Sequence, residues 1–122
     1  MRNPVEARAA LRRGNRSRAF ETLGTFIDEL LERDNMYMAK IACVEFINMM
    51  ATVKCWTAAA RMLDYLETSG AFGDAPVLRT SVASAARMVG HHDVGPPPRR
   101  ELDDRQALAF MRDELDRLAG EA

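Results

Sequence analysis

A chain of 122 residues has room for one hydrophobic core, so residues 1–122 are read as a single domain. Hydrophobic residues make up 48% and charged residues 29%, which excludes an extensively disordered chain; no stretch reaches the ~18 uninterrupted apolar residues of a membrane span. A formal net charge of −1 favours neither nucleic acid nor an acidic partner by overall charge and leaves only local asymmetry to steer a partner.

Such asymmetry stands at the N-terminus, where Arg2, Arg8, Arg12, Arg13, Arg16 and Arg18 face Glu6 alone over residues 1–20. Residues 1–15 are expected to form a basic N-terminal helix. Asn3 is placed to cap it, Pro4 fits the first helical position, and Glu6 can reach back to the cap. The helix should run from about Pro4 to Arg13 and stop at Gly14. From Arg16 to Arg33, Phe20, Leu23, Ile27, Leu30 and Leu31 recur at helical spacing while Glu21, Asp28, Glu29 and Glu32 take the other face, the pattern of an amphipathic surface helix.

The stretch Met36–Gly70 predicts two helices folded back on one another. In the first, Lys40, Glu45, Asn48 and Thr52 fall on one side; Met36, Ala39, Ala42, Cys43, Phe46, Ile47, Met49 and Met50 fill the opposite half. A helix this apolar has to be covered on more than one side, which makes it the centre of an all-α domain. After a reversal at Thr52–Cys55, Trp56, Ala59, Ala60, Leu63 and Leu66 predict the buried stripe of the second helix, which Gly70 ends.

A turn over Gly70–Asp74 then leads to a helix from Pro76 to about Val89, with Leu78, Val82, Ala85 and Val89 inward. Residues 91–101 read as a proline-rich spacer, because Pro96, Pro97 and Pro98 force an extended stretch without backbone donors. Residues 102–119 read as the C-terminal helix. Asp103 and Gln106 can cap it, Leu108, Met111, Leu115 and Leu118 form its apolar stripe, and Arg112/Asp116 and Asp113/Arg117 are available as i,i+4 pairs. The stripe is expected to pack onto the central hairpin of the same chain or of a second one. The sum is about six helices and no strand.

Antiparallel hairpins of this length approach the ~34-residue tetratricopeptide unit. Ala58-Ala59-Ala60-Arg61-Met62-Leu63 supplies the small residues that let its second helix approach the first, although Lys54 stands where that repeat has a turn glycine. Ala59-Ala60-Arg61-Met62-Leu63, Gly70–Pro76 and Leu102-Asp103-Asp104-Arg105-Gln106-Ala107-Leu108 together resemble the C-terminal helical-repeat end of large bacterial NTPase regulators of the LuxR and AfsR types. The resemblance implies a sensing or protein-contact segment detached from the NTPase and DNA-binding parts.

No residue set specifies a catalytic centre, a cofactor or a metal site, and an enzyme is not expected. His91-His92-Asp93 carries ligand-type residues but no further pair to complete a tetrahedral site. Cys43 lies in an apolar arc; Cys55, beside Lys54 at a helix start, better meets the conditions for a reactive thiol. Two thiols without a C-x-x-C fit a reduced, cytoplasmic protein.

The functional expectation is a non-enzymatic helical interaction or regulatory module, engaging another protein or a second copy of itself. Its candidate contacts are Met36, Met38, Met49, Met50 and Trp56, since thioethers adapt to a partner helix; core filling is the competing reading of the methionines. The alternative is a small regulator that touches nucleic acid through Arg12, Arg13, Arg16 and Arg18. No membrane contact is expected.

Overall fold

Three reversals of the same kind set the first half of the molecule. The computed structural model describes residues 4–92 and 101–121. Helices α1 (Pro4–Arg12), α2 (Arg16–Glu32), α3 (Ala39–Thr52) and α4 (Trp56–Thr68) follow one another, with a 3₁₀ turn over Met36–Met38 ahead of α3. Gly14, Asp34 and Lys54 each adopt left-handed backbone, with φ of 79°, 53° and 65°. The next N–H then reaches back to close the preceding helix: Asn15 to the Ala10 carbonyl (3.0 Å), Asn35 to Leu30 (2.9 Å) and Cys55 to Met50 (2.8 Å). This is the Schellman arrangement, repeated at even spacing. Lys54 therefore performs the glycine's task at some steric cost.

The expected central helix is α3, which packs against α1, α2, α4 and two later helices, α7 (Ala83–Gly90) and α8 (Asp104–Glu121). Its polar residues are engaged as well. The Arg8 guanidinium pairs with Glu45, the Asn48 amide donates to the Ser81 carbonyl (3.1 Å), and the Thr52 hydroxyl donates to the Asn48 carbonyl (2.9 Å). Buried Ala7 and Ala10 keep α1 close to the core.

All described elements are helical, but the boundaries differ from expectation in places. The turn over Gly70–Asp74 contains a short helix, α5 (Ala71–Asp74), and the helix expected over Pro76–Val89 is two, α6 (Pro76–Ser81) and α7, which makes eight α-helices among the described residues. The chain leaves helical geometry at Val82 (φ −109°, ψ 5°), whose side chain is buried. Across the break Val82, Ala85 and Val89 are buried, while Leu78, also expected inward, is only half-buried. The buried stripe of α4 is also corrected: Ala58, Ala59, Met62, Tyr65 and Leu66 are inside, while Trp56, Ala60 and Leu63 are only half-buried. The rotation brings the Tyr65 hydroxyl to polar partners and leaves Trp56 at the surface edge.

Helix α8 docks within the chain, with Leu108, Met111 and Leu115 fully buried and Leu118 nearly so. Its principal neighbour is α2, then α3; α4 is touched lightly, so docking on the α3–α4 hairpin is corrected to docking across α2 and α3. Gly24 leaves room for Arg112 at this contact. A Cβ there would stand 2.4 Å from Nη1 of Arg112, whose guanidinium lies on the bare backbone of α2 and bonds Asp28 (2.9 Å) and Asp116 (2.8 Å). The expected Arg112/Asp116 pair is thus present, whereas Arg117 pairs with Glu114 (2.7 Å) and Glu121 (3.1 Å) instead of Asp113. The capping box forms both ways, Gln106 N–H to Asp103 (2.7 Å) and Asp103 N–H to Gln106 (3.0 Å). The proposed Asn3 cap and the prolines at 96–98 lie outside the described residues.

Two sets of substitutions follow, measured by urea unfolding. Lys54→Gly should stabilise by roughly 0.5–1 kcal/mol by relieving left-handed backbone, Asp34→Gly by less because it also removes the ion pair with Arg105 (2.8 Å), and Gly14→Ala should cost about 1–2 kcal/mol. Leu115→Ala should cost ~2–5 kcal/mol by leaving a cavity in the docked stripe, and Arg112→Ala much less. Gly24→Ala should be near neutral alone, because the ~1 kcal/mol gained in helix propensity offsets displacement of Arg112; in the Arg112→Ala background it should be plainly stabilising.

Candidate interaction groove

A groove of about 590 Å³ lies where the α3–α4 turn, the end of α7 and the outer face of α8 meet. Trp56, half-buried at the first position of α4, forms one wall. The exposed His92 ring stacks on it nearly parallel, with centroids 4.1 Å apart and planes 13° off. Phe110 of α8 lies in the opposite wall. Its ring is held edge-on by the buried Phe46 of α3 (6.5 Å, 71°), and the Arg61 guanidinium covers it at 5.4 Å. Rings carried by rigid helices at a surface combine large apolar area with little rotamer freedom to lose.

Charge around these rings is uneven. Arg117 bridges Glu114, the one carboxylate residue lining the groove, and Glu121 beyond it, balancing the charge of one of them. Lys54 and Arg61 form no ion pair among the described residues, and exposed Arg16 lies close enough to act on the Cys55 thiol. The unneutralised charge is positive. Cys55 itself is half-buried in the groove wall, and burial pushes its thiol up, with Glu114 and Glu121 adding to the rise and Arg117 and Arg16 opposing it. The thiol is therefore held in its less reactive, protonated form. Cys43 is fully buried, its thiol driven further up by desolvation.

The proposed contact residues do not share one surface. Met49 and Met50 are 3% and 0% exposed inside the core, and Met36 and Met38 are half-buried about 18 Å away at the other end of α3, flanking a Tyr37 that is 87% exposed. Of those five, only Trp56 lines the groove. The four arginines gather at one reversal: Arg12 and Arg13 at the end of α1, Arg16 and Arg18 at the start of α2, all exposed. Arg12 also lines a smaller groove of about 320 Å³ between α1 and α3, beside the Arg8–Glu45 pair and Met49. His91 and His92 are both exposed, and Asp93 lies outside the described residues. Among the described residues no group of three or more His, Cys, Asp or Glu side chains is placed to hold a metal ion.

Sequence reasoning missed Phe110, Arg61 and the polar clamp that positions α8. The Lys40 ammonium donates to the Tyr65 hydroxyl (2.7 Å) and to Asp104 (2.5 Å), Tyr65 donates to the same carboxylate, and the ammonium sits 4.6 Å from the Tyr65 ring centre. Helices α3, α4 and α8 are thereby joined at one point. The signal was Lys40, the one polar residue in the first turn of an apolar helix.

Burial works to raise the Asp104 carboxyl, but hydrogen bonds from Lys40 and Tyr65 and the charge of Lys40 outweigh it and hold the group below its ordinary value. Tyr65 is pushed well up, by burial first and by its bond to Asp104 second. A lowered carboxyl stabilises the fold above the free value of about 3.9 and loses that contribution as pH falls below it; a raised phenol stabilises below about 10 and loses it as pH rises further. Urea midpoints should therefore fall below about pH 4 and above about pH 10. Asp104→Asn should flatten the acid limb and Tyr65→Phe the alkaline one, each variant being less stable than wild type at neutral pH.

Compared with known proteins, the chain matches no family model, no curated protein and no solved structure.

Proposed function

We propose that this chain is a non-enzymatic helical interaction module that binds another protein through the Trp56 groove. The observation that carries the reading is the placement of Trp56 and Phe110, two partly exposed rings fixed by separate helices and bordered by arginines. Tryptophan and arginine are the residue types that most often dominate binding energy at interfaces, and they do so in preformed pockets. Binding is favoured over chemistry because the Cys55 thiol is held protonated and the groove carboxylate Glu114 is tied to Arg117. This role is the one implied by the resemblance to detached helical-repeat ends of NTPase regulators.

The alternative, nucleic-acid contact by Arg12, Arg13, Arg16 and Arg18, draws on their clustering at one exposed reversal. Capture from the native host separates the two. A protein retained by the wild-type chain should be lost with Trp56→Ala and kept with Arg12→Ala/Arg13→Ala. Retention of nucleic acid that tracks the arginines and disappears with moderate salt would replace the protein reading by the second one.

A further inference from the structure

We infer that the groove takes an acidic segment of a partner protein, which inserts an aromatic side chain into the slot on Trp56 that His92 now fills. The inference rests on the interaction reading above and names the partner's chemistry. The stack of His92 on Trp56 demonstrates that this face accepts a planar ring at van der Waals distance. His92 is exposed, lies past the end of α7, and is tied there by a backbone bond to the Val89 carbonyl (3.0 Å). An imidazole covers less apolar area than a phenyl or indole ring, so a partner's larger ring has more to gain from the slot.

The charges select the flanking residues. Lys54 and Arg61 have no carboxylate partner among the described residues, and Arg16 adds a third cation near Cys55. Arg117 bridges Glu114 and Glu121, and the groove lining itself carries Lys54, Arg61 and Arg117 against Glu114, a positive excess. A segment with carboxylates on either side of its ring would meet cations at the rim and leave no buried charge unpaired. A nucleic acid could also stack a base on Trp56, and a single-stranded oligonucleotide tests that alternative.

Trp56 is the only tryptophan in the chain, so its emission reports on the groove directly, and Cys55 beside it offers a second readout by its rate of alkylation with N-ethylmaleimide. The probe is a short synthetic peptide of glutamates around one phenylalanine. It should shift Trp56 emission and slow alkylation of Cys55. Measured by anisotropy of the labelled peptide, binding should weaken about tenfold with Lys54→Glu and about thirtyfold with Trp56→Ala. His92→Ala, at an exposed position, should tighten binding about three- to tenfold by vacating the slot.

Equal or better binding by the lysine counterpart of the peptide, with the same Trp56 and Cys55 responses, would overturn the acidic partner and leave the groove reading standing. Binding of the acidic peptide with neither response would sink the groove reading itself. Failure of the acidic peptide to bind, weaker binding by His92→Ala, or preferential binding of a single-stranded oligonucleotide with quenching of Trp56 would each overturn the inference.

Discussion

Helix α3 leaves only a narrow strip, Ile41 and Thr52, exposed to water, and the other described helices that touch it cover the rest. Its apolar residues point in nearly every direction, so α1, α2, α4, α7 and α8 all contribute cover. Burying such a helix gains free energy in proportion to the apolar area removed from water, and no single neighbour covers enough of it. The few polar side chains on α3 then become fasteners. Glu45 holds α1, Asn48 holds the end of α6, and Lys40 gathers α4 and α8.

The groove is a by-product of the same demand. To seal α3, α4 turns so that Met62 and Tyr65 face inward, and that turn carries Trp56 outward to the edge. Phe110 is positioned in the same way, one residue off the buried stripe of α8, where it touches Phe46 with one edge and presents the rest of its ring to the groove. Both rings therefore stand on helices whose other faces are buried in the core.

Much of the fold was legible because the signals are local. Gly14 and Gly70 stop helices, the Asp103/Gln106 box starts one, and the Leu108–Leu118 stripe reads directly as a buried face. The Schellman turn at Lys54 was not legible as such, since a lysine does not announce left-handed backbone. The break at Val82 was hidden for a different reason: the spacing of Leu78, Val82, Ala85 and Val89 suits one continuous helix, and only packing against α3 and α4 decides otherwise. The groove was the least legible part. Lys54, Trp56, His92 and Phe110 come from separate elements, and nothing in the sequence around any one of them refers to the others. Trp56 was selected for its residue type, while of the methionines that looked equivalent Met49 and Met50 are core and Met36 and Met38 are half-buried ahead of α3.

The contact between α2 and α8 also bears on the order in which the molecule is made. Successive reversals let α1 to α4 find one another over short chain separations, but Arg112 and Asp28 are 84 residues apart. Closing so long a loop is slow relative to pairing neighbouring helices. On the ribosome, α1 through α4 can emerge and pair while the side of α2 meant for α8 still faces solvent. Leucines and phenylalanines there stay uncovered until the last turns of the chain are released. A chain interrupted before α8 would carry that surface permanently, and so would be a substrate for chaperones or proteolysis.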